Sequence, residues 1–364
     1  MLTTQPRCLA HSSTRLRVAT LALAAVVCTL FACPIHAANE EKPSQQTPQR
    51  EQLTIAPEEA TKAWTGDLDG MIARGVIRVL CVYSKTFYFV DKGTQRGLTH
   101  EFMRLFEADL KKKLEKQRKL KAKHIKVRVV YIPVGRDEIL PALVAGKGDI
   151  AASNLTITKE RQKLVDFSTP VYRNVSELVV SGPTSPAIST VADLAGKEVF
   201  VRKSSSYYES LAALNQRFAS EKKPEVIIKE APEALEDEDL IEMVSAGLIP
   251  LIVVDKHKAD FWKQIFPRIT VHEGIAVRTG ADIAVAVRRG SLRLEAAIDD
   301  FLARHGQGTL AGYVILTRYL KSTKYVKEAS SESERKKFRA LIQYFKEYGD
   351  KYDVDWLLMA AQGY

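Results

Sequence analysis

The sequence is short of cysteine. It holds four in 364 residues, and three of them, Cys8, Cys28 and Cys33, fall in the first 33 positions. Only Cys81 sits in the body of the chain, inside an apolar run. The folded part therefore has no intramolecular disulfide, and a buried thiol is expected. Long apolar runs are scarce as well. Residues 18–32 form the one that stands out, and about 15 residues are too few for a membrane span. Acidic residues are missing from the first 37 positions, which carry Arg7, Arg15 and Arg17. A basic start, an apolar stretch, Pro34 and then Ile35-His36-Ala37 read as a secretory signal cleaved after Ala37. Leu30-Phe31-Ala32-Cys33 has the outline of a lipobox, so lipid anchoring at Cys33 stands as an alternative.

Catalytic signatures are missing too. There is no Gly-x-Ser-x-Gly and no Cys–His pair beyond the leader. Asp255, His257 and Asp260 form a loose acidic-histidine group whose spacing matches no metal-ligand pattern. The G-x-G-x-x-A match at 146–151 follows a helical segment and precedes a strand, the reverse of a dinucleotide fingerprint. No cofactor and no metal is expected. Removing the leader's three arginines from 54 basic residues, against 44 acidic ones, leaves a net charge of +7. Much of the excess lies in residues 111–126, read as a solvated helix end and loop, with attraction to an anionic envelope surface as the alternative. No aromatic-interleaved basic motif appears, which argues against nucleic acid as a partner.

What is present is an alternation of strands and helices. Residues 39–52 are polar with Pro43 and Pro48, a flexible tether. Residues 76–82 are rich in β-formers. Phe102, Leu105, Phe106, Leu110 and Leu114 make a helical stripe over 99–114. Strands are expected at 127–132, 149–152, 177–181, 198–201, 225–229, 249–254 and 283–287, with helices at 138–144, 159–164, 207–219, 235–245, 260–266 and 291–304. This is α/β order with mostly parallel sheets, and pockets in such folds lie at the carboxyl ends of strands. Two α/β lobes around a cleft suit the length. Past Tyr319 the pattern turns helical, with Phe338, Leu341, Ile342, Phe345 and Tyr348 on one face.

Three places carry chemistry. The first is a strand end, Asn154 and Thr156, a helix start at Thr158, and Arg161. An arginine in a helix's first turn opposes the helix dipole. Beside hydroxyls and free N–H groups, however, a guanidinium can grip a carboxylate with two hydrogen bonds. The alternative is a structural pair with Asp166 or Glu160. The second is Arg202-Lys203-Ser204-Ser205-Ser206 at a strand-to-helix turn. Its serines either cap the helix or bind an anion. The third is Asp255 at a strand end, either an ammonium acceptor facing the cleft or an N-cap.

Residues 146–172, GKGDIAASNLTITKERQKLVDFSTPVY, resemble a stretch of the family 3 solute-binding proteins, which hold amino acids and small polar solutes between two α/β lobes. The resemblance covers about residues 71–320. It implies that Arg161 and Thr156 grip a ligand's α-carboxylate with Asn154 alongside, and that Ser205 and Ser206 bind it from the second lobe. It also implies that Asp255 takes the α-amino group and that Phe87 or Tyr88 is an aromatic lid. Ser204 stands where the family has glycine.

The runs WTGDLDGMIARGVIRVL, YSKTFYFVDKGTQRGLTHEF, EDEDLIEMVSAGLIPLIVVD and FKEYGDKYDVDWLLMAAQGY are similar to the membrane-bound lytic murein transglycosylase F family. That family joins a solute-binding-like domain to a lysozyme-like domain that cleaves peptidoglycan with one glutamate. The resemblance places that glutamate just beyond Tyr364, so no catalytic residue is assigned within the chain, and Glu236 and Glu238 read as residues of an ordinary charged helix. The expected organisation is a signal peptide at 1–37 and a tether at 38–70. A solute-binding domain follows at 71–320, with one lobe at 71–178 and 276–320 and the other at 179–275. A helical fragment occupies 321–364. The expected protein is periplasmic, possible outer-membrane association included. It binds an amino acid or a cell-wall peptide and is linked to peptidoglycan turnover. Two alternatives stand beside this: a transglycosylase whose catalytic part lies outside the chain, and the substrate-binding subunit of an amino-acid transporter.

Overall fold

A computed structural model of the chain describes residues 62–118 and 127–329, together with 344, 347–349 and 351–352. The expected signal segment, most of the tether and most of the C-terminal helical stretch lie outside the described residues. The tether's last residues are docked rather than loose. The Trp64 amide donates to the Gly146 carbonyl at 2.9 Å. Asp67 caps helix α1 (Leu68–Arg74) through the Leu68 amide at 2.7 Å. The same carboxylate also accepts from the Arg293 and Leu294 amides, at 2.9 and 3.0 Å, at the start of a helix more than 220 residues later. Gly75 ends α1 at φ 78°, a left-handed cap that glycine adopts without steric cost.

In chain order there follow strand β1 (Val76–Cys81), the hairpin β2 (Phe89–Asp91) and β3 (Thr94–Arg96), helix α2 (Leu98–Arg118), β4 (Arg128–Pro133), α3 (Ile139–Val144), β5 (Ile150–Thr156), the single turn α4 (Lys159–Gln162), β6 (Val165–Phe167) and β7 (Tyr172–Ser181). Next come β8 (Glu198–Arg202), α5 (Ser206–Ser220), β9 (Ile227–Ala231), α6 (Asp237–Ala246), β10 (Leu251–Asp255), α7 (Lys256–Lys263), β11 (Thr270–Arg288), α8 (Leu292–His305), α9 (Leu310–Leu320) and α10 (Lys324–Ala329). The main sheet runs β4-β1-β5-β11-β7-β10-β8-β9, with β6 also on β11.

The sheet is parallel at both ends (β4-β1-β5 and β10-β8-β9) and antiparallel in the middle, where β7 and β11 cross. The crossing strands are longer than the pattern suggested. The 19 residues of β11 pair with β7 along one part and with β5 and β6 along another. Two sets of apolar residues form on either side of the crossing. One gathers residues 178–275, including Leu211, Phe218, Ile241, Val253 and Trp262. The other gathers Met71, Val79, Phe106, Ile150, Ile298 and Phe301, and a smaller cluster around Leu80, Leu143 and Ala286 covers the opposite face of its sheet. At the crossing itself a small cluster of Val175, Ala281 and Ile283 packs with half-buried Tyr172. Two cores joined by two strands and little apolar packing are the construction of a hinged pair of lobes.

Local sequence accounts for much of this. In α2, Phe102, Phe106, Leu110 and Leu114 are buried and Leu105 is half-buried. Cys81 is a buried free thiol whose pKa burial pushes up to about 12, which leaves it inert. Helix α7 begins at Lys256, four residues earlier than expected, directly from the end of β10.

Candidate functional site

Strand β5 continues to Thr156, past the expected end at 152, because β11 pairs with it to the end: Thr156 opposes Ile283 and Leu155 opposes Ala284. The next pair along is Ala151 with Ala286, so four steps of β5 face two of β11. The slack is taken up at Asn154, whose φ is +53°, a left-handed conformation that asparagine tolerates better than most residues. A bulge re-aims a side chain. Here it turns Asn154 toward the other lobe, where its Nδ2 donates to Asp255 Oδ2 at 2.7 Å and its Oδ1 faces His257 Nε2 at 3.1 Å.

Thr158 caps the turn α4 by accepting from the Arg161 amide at 3.2 Å. The Arg161 side chain then folds back, donating to the Thr156 carbonyl at 3.0 Å and, across the cleft, to the Ser204 carbonyl at 2.9 Å. Neither Asp166 nor Glu160 is its partner. The nearest carboxylate is Glu209 of α5, at 3.7 Å. Burial lowers the Arg161 pKa, and Glu209 offsets that only in part.

From the second lobe, Ser205 caps α5 by accepting from the Tyr208 amide at 3.2 Å, while its hydroxyl donates to the Arg202 carbonyl at 2.6 Å. Ser206, one residue on, donates to Thr156 Oγ1 at 3.2 Å and so bridges the lobes. Asp255 occupies the N-cap position of α7 without a side-chain capping bond. Its carboxylate points into the cleft, to Asn154 and to Lys258 Nζ at 3.3 Å.

Asn154, Thr156, Arg161, Ser205, Ser206 and Asp255 thus line one cavity of about 410 Å³ between the lobes. Phe87 and Tyr88 do not line it. Phe87 is buried in the first lobe's core with its ring 5.5 Å from Lys258 Nζ. Tyr88 stacks on Tyr131 at 5.2 Å and lies beside Tyr83.

Asp237, Arg136 and Lys258, which sequence reasoning passed over, also line the cavity. Asp237 is fully buried and receives Arg202 Nη2 at 2.5 Å, Lys258 Nζ at 2.6 Å and the Tyr207 hydroxyl at 3.0 Å. Burial alone would raise its pKa, but Arg202 and Lys258 more than offset this and hold the carboxyl well below its usual range. Arg136 is buried, donates to the Ser153 carbonyl at 2.6 Å, and makes a two-pronged pair with Glu236, Nε to Oε1 being 3.1 Å. Glu238 is buried as well. It accepts from Ser84 Oγ at 2.9 Å and from the Lys85 amide at 2.6 Å, and Asp239 takes Lys85 Nζ at 2.8 Å. The acidic start of α6 is therefore a strap, since Glu236, Glu238 and Asp239 all reach across to the first lobe. The run EDED signalled a helix start. Nothing in it signalled that the other lobe would cover it.

Comparisons with known proteins agree with this geometry. The family model of bacterial extracellular solute-binding proteins, family 3, matches residues 79–320. An ancestral arginine-binding protein bound to arginine superposes with a TM-score of 0.53 at 23% identity, over 68% of this chain and 98% of that one. An amino acid ABC transporter substrate-binding protein from Streptococcus pneumoniae, bound to L-arginine, superposes with a TM-score of 0.54 at 19% identity, over 73% of this chain and all of that one. Among curated sequences, membrane-bound lytic murein transglycosylase F of Pseudomonas fluorescens is 27% identical over 300 residues, covering 80% of this chain and 56% of its own length. The protein of the same name from Stutzerimonas stutzeri is 29% identical over 312 residues, covering 82% and 58%. The chain spans little more than half the length of these relatives. On fold, site geometry and the family match over residues 79–320, the chain belongs to the bacterial extracellular solute-binding proteins of family 3.

Proposed function

We propose that the chain binds a small carboxylate-bearing solute, an amino acid or a cell-wall peptide, in the cleft between its lobes. One observation carries this reading: Arg161, Thr156 and Ser206 converge from two lobes on one cavity with Asp255 in its wall. Arg161 is the carboxylate ligand and now spends its donors on two main-chain carbonyls. A carboxylate would replace neutral acceptors with a charged one, which makes roughly twice as strong a hydrogen bond. Because groups from both lobes contact the solute, binding favours the closed cleft.

The test is a thermal-shift screen of the chain against amino acids and cell-wall peptides, with Arg161→Ala alongside. A true ligand at about 100 times its Kd adds about 2.7 kcal/mol of stability, and that gain should vanish in the variant. A gain that survives Arg161→Ala would refute the assignment.

We further infer that binding serves peptidoglycan turnover in the cell envelope, after export to the periplasm. The relatives named membrane-bound lytic murein transglycosylase F support this over 80% of the chain. Tyr325 touches both lobes: its ring stacks on Phe89 of the first at 5.7 Å and on Phe261 of the second at 5.9 Å.

A further inference from the structure

The end of the cleft suited to an ammonium group already holds one. Lys258 Nζ lies 2.6 Å from Asp237 Oδ2, 3.3 Å from Asp255 Oδ2 and 3.3 Å from the Tyr207 hydroxyl. It also sits against the ring of Phe87, at 5.5 Å. Two carboxylates, a phenol hydroxyl and one aromatic face are the surroundings that recognise a cation. The side chain that fills them is 5% exposed.

The charges of this cluster balance without a ligand. Asp237 and Asp255 face Arg202 and Lys258, Arg136 beside them is paired with Glu236, and the buried Glu177 opposite Asp255 is answered by Arg278 at 3.8 Å. A ligand ammonium would put a third cation into a buried and neutral group, where like charges repel strongly. Two buried atoms behind the cavity wall keep no partner. Asp255 Oδ1 is buried and accepts no hydrogen bond, and Arg202 Nε is buried and donates none. Both residues line the cavity. With Asp255 already answered by Lys258, a ligand nitrogen beside the carboxylate fits uncharged, as the N–H of an amide, rather than as an ammonium. At the other end Arg161 keeps a cation whose nearest carboxylate is 3.7 Å away.

We propose, on the reading of the cleft as a carboxylate site, that Lys258 determines specificity by taking the place of a ligand's α-ammonium. The ligand is then a carboxylate whose neighbouring nitrogen is acylated: an N-acyl amino acid, or a peptide with a blocked amino end.

Calorimetric titration of the full chain with L-alanine, L-leucine and L-glutamate, each against its N-acetyl form, tests this directly. The N-acetyl forms should bind about tenfold tighter or better in at least one pair, and Arg161→Ala should abolish binding of both. Lys258→Met, or Lys258→Gln if the first variant does not fold, should lower the preference to about threefold or less by readmitting the ammonium. Free amino acids binding as tightly as their acetylated partners would overturn the inference while leaving the carboxylate site intact. An undiminished preference in the Lys258 variants would overturn the role of Lys258. Binding of neither form to well-folded protein would remove the carboxylate reading and this inference with it.

Discussion

Two buried charge clusters stand on either side of the hinge problem. In the first lobe, Asp149 is buried among three arginines. Arg78 meets it with its amide at 2.8 Å and its Nη2 at 3.0 Å, Arg74 makes a close pair, and Arg288 lies at 3.7 Å. Other donors of Arg78 and Arg288 go to main-chain carbonyls of Lys62, Trp64, Gly66, Gly146 and Gly148, while Arg74 Nε has no hydrogen-bond partner. In the cleft, two carboxylates meet two cations, and several contacts run from one lobe to the other. The first cluster ties one lobe's loops to its sheet and cannot be hydrated without unfolding that lobe. The second can be hydrated by opening a hinge. Similar residues therefore do different things: one cluster is a staple, and the other is a closure that can come apart.

The largest effect should come from the staple. Asp149→Asn leaves Arg78 and Arg288 buried, and Arg74 half-buried, without their anion, and breaking a buried pair from one side costs about 3–5 kcal/mol. The urea midpoint should fall accordingly, with both lobes' signals moving together if the lobes unfold as one unit. A loss under about 1 kcal/mol would mean the main-chain carbonyls suffice to hold the arginines.

Titration separates the regions next, because two groups along the closure have opposite signs. Burial first, and then Glu236 and Asp237, push the Glu238 carboxyl from an ordinary 4.5 to about 7. The folded chain therefore binds its proton more tightly than the unfolded chain. That contribution is complete below about pH 4.5 and is lost as pH rises through 7. Burial pulls the His257 imidazole from 6.5 down to about 4, although Asp255 works the other way. Its neutral form is the folded one, so its contribution is complete above about pH 6.5 and is lost as pH falls through 4. Each spans about 3 kcal/mol in full at 1.36 kcal/mol per pKa unit. The two slopes oppose each other over the shared window. Glu238→Gln should make stability climb with pH there, and His257→Gln should make it fall. Urea midpoints at about pH 5 and about pH 7 distinguish these outcomes, and parallel profiles for both variants would show that neither group titrates in this range.

How much of this was legible in sequence depends on whether a feature is local. The stripe of α2, the turn from Thr158 to Arg161 and the cap at Ser205 follow from spacing and residue type, and all three were readable. So was the convergence of Arg161, Thr156, Ser206 and Asp255, because a known motif order accompanied it. The inward turn of Asn154 was not, since a positive φ arises from how β11 pairs with β5. Lys258 and the acidic start of α6 were also missed. A charged helix end looks the same in sequence whether it faces water or an opposing lobe, and the partner of Glu236 is Arg136, 100 residues away. Phe87 and Tyr88 show the same limit at one-residue scale. Adjacent side chains point apart, and nothing local says which faces Lys258.

The gentlest break tests whether the closure is indeed a closure. Glu236→Gln removes one charge of the buried Arg136 pair and keeps the shape. Inside a lobe such a change would cost what Asp149→Asn costs. Here Arg136 has another course, because it is rehydrated when the cleft opens, so the loss cannot exceed the free energy of opening. The expected fall in folding stability is therefore about 1.5–3 kcal/mol, the scale of one charged hydrogen bond. The remainder should appear as a conformational change: a larger radius of gyration in solution scattering for the variant, recovered when a cleft ligand is added. A full 3–5 kcal/mol loss with no change of radius would mean that the lobes are welded by these contacts, and that the strap from α6 is part of the fold rather than of its motion.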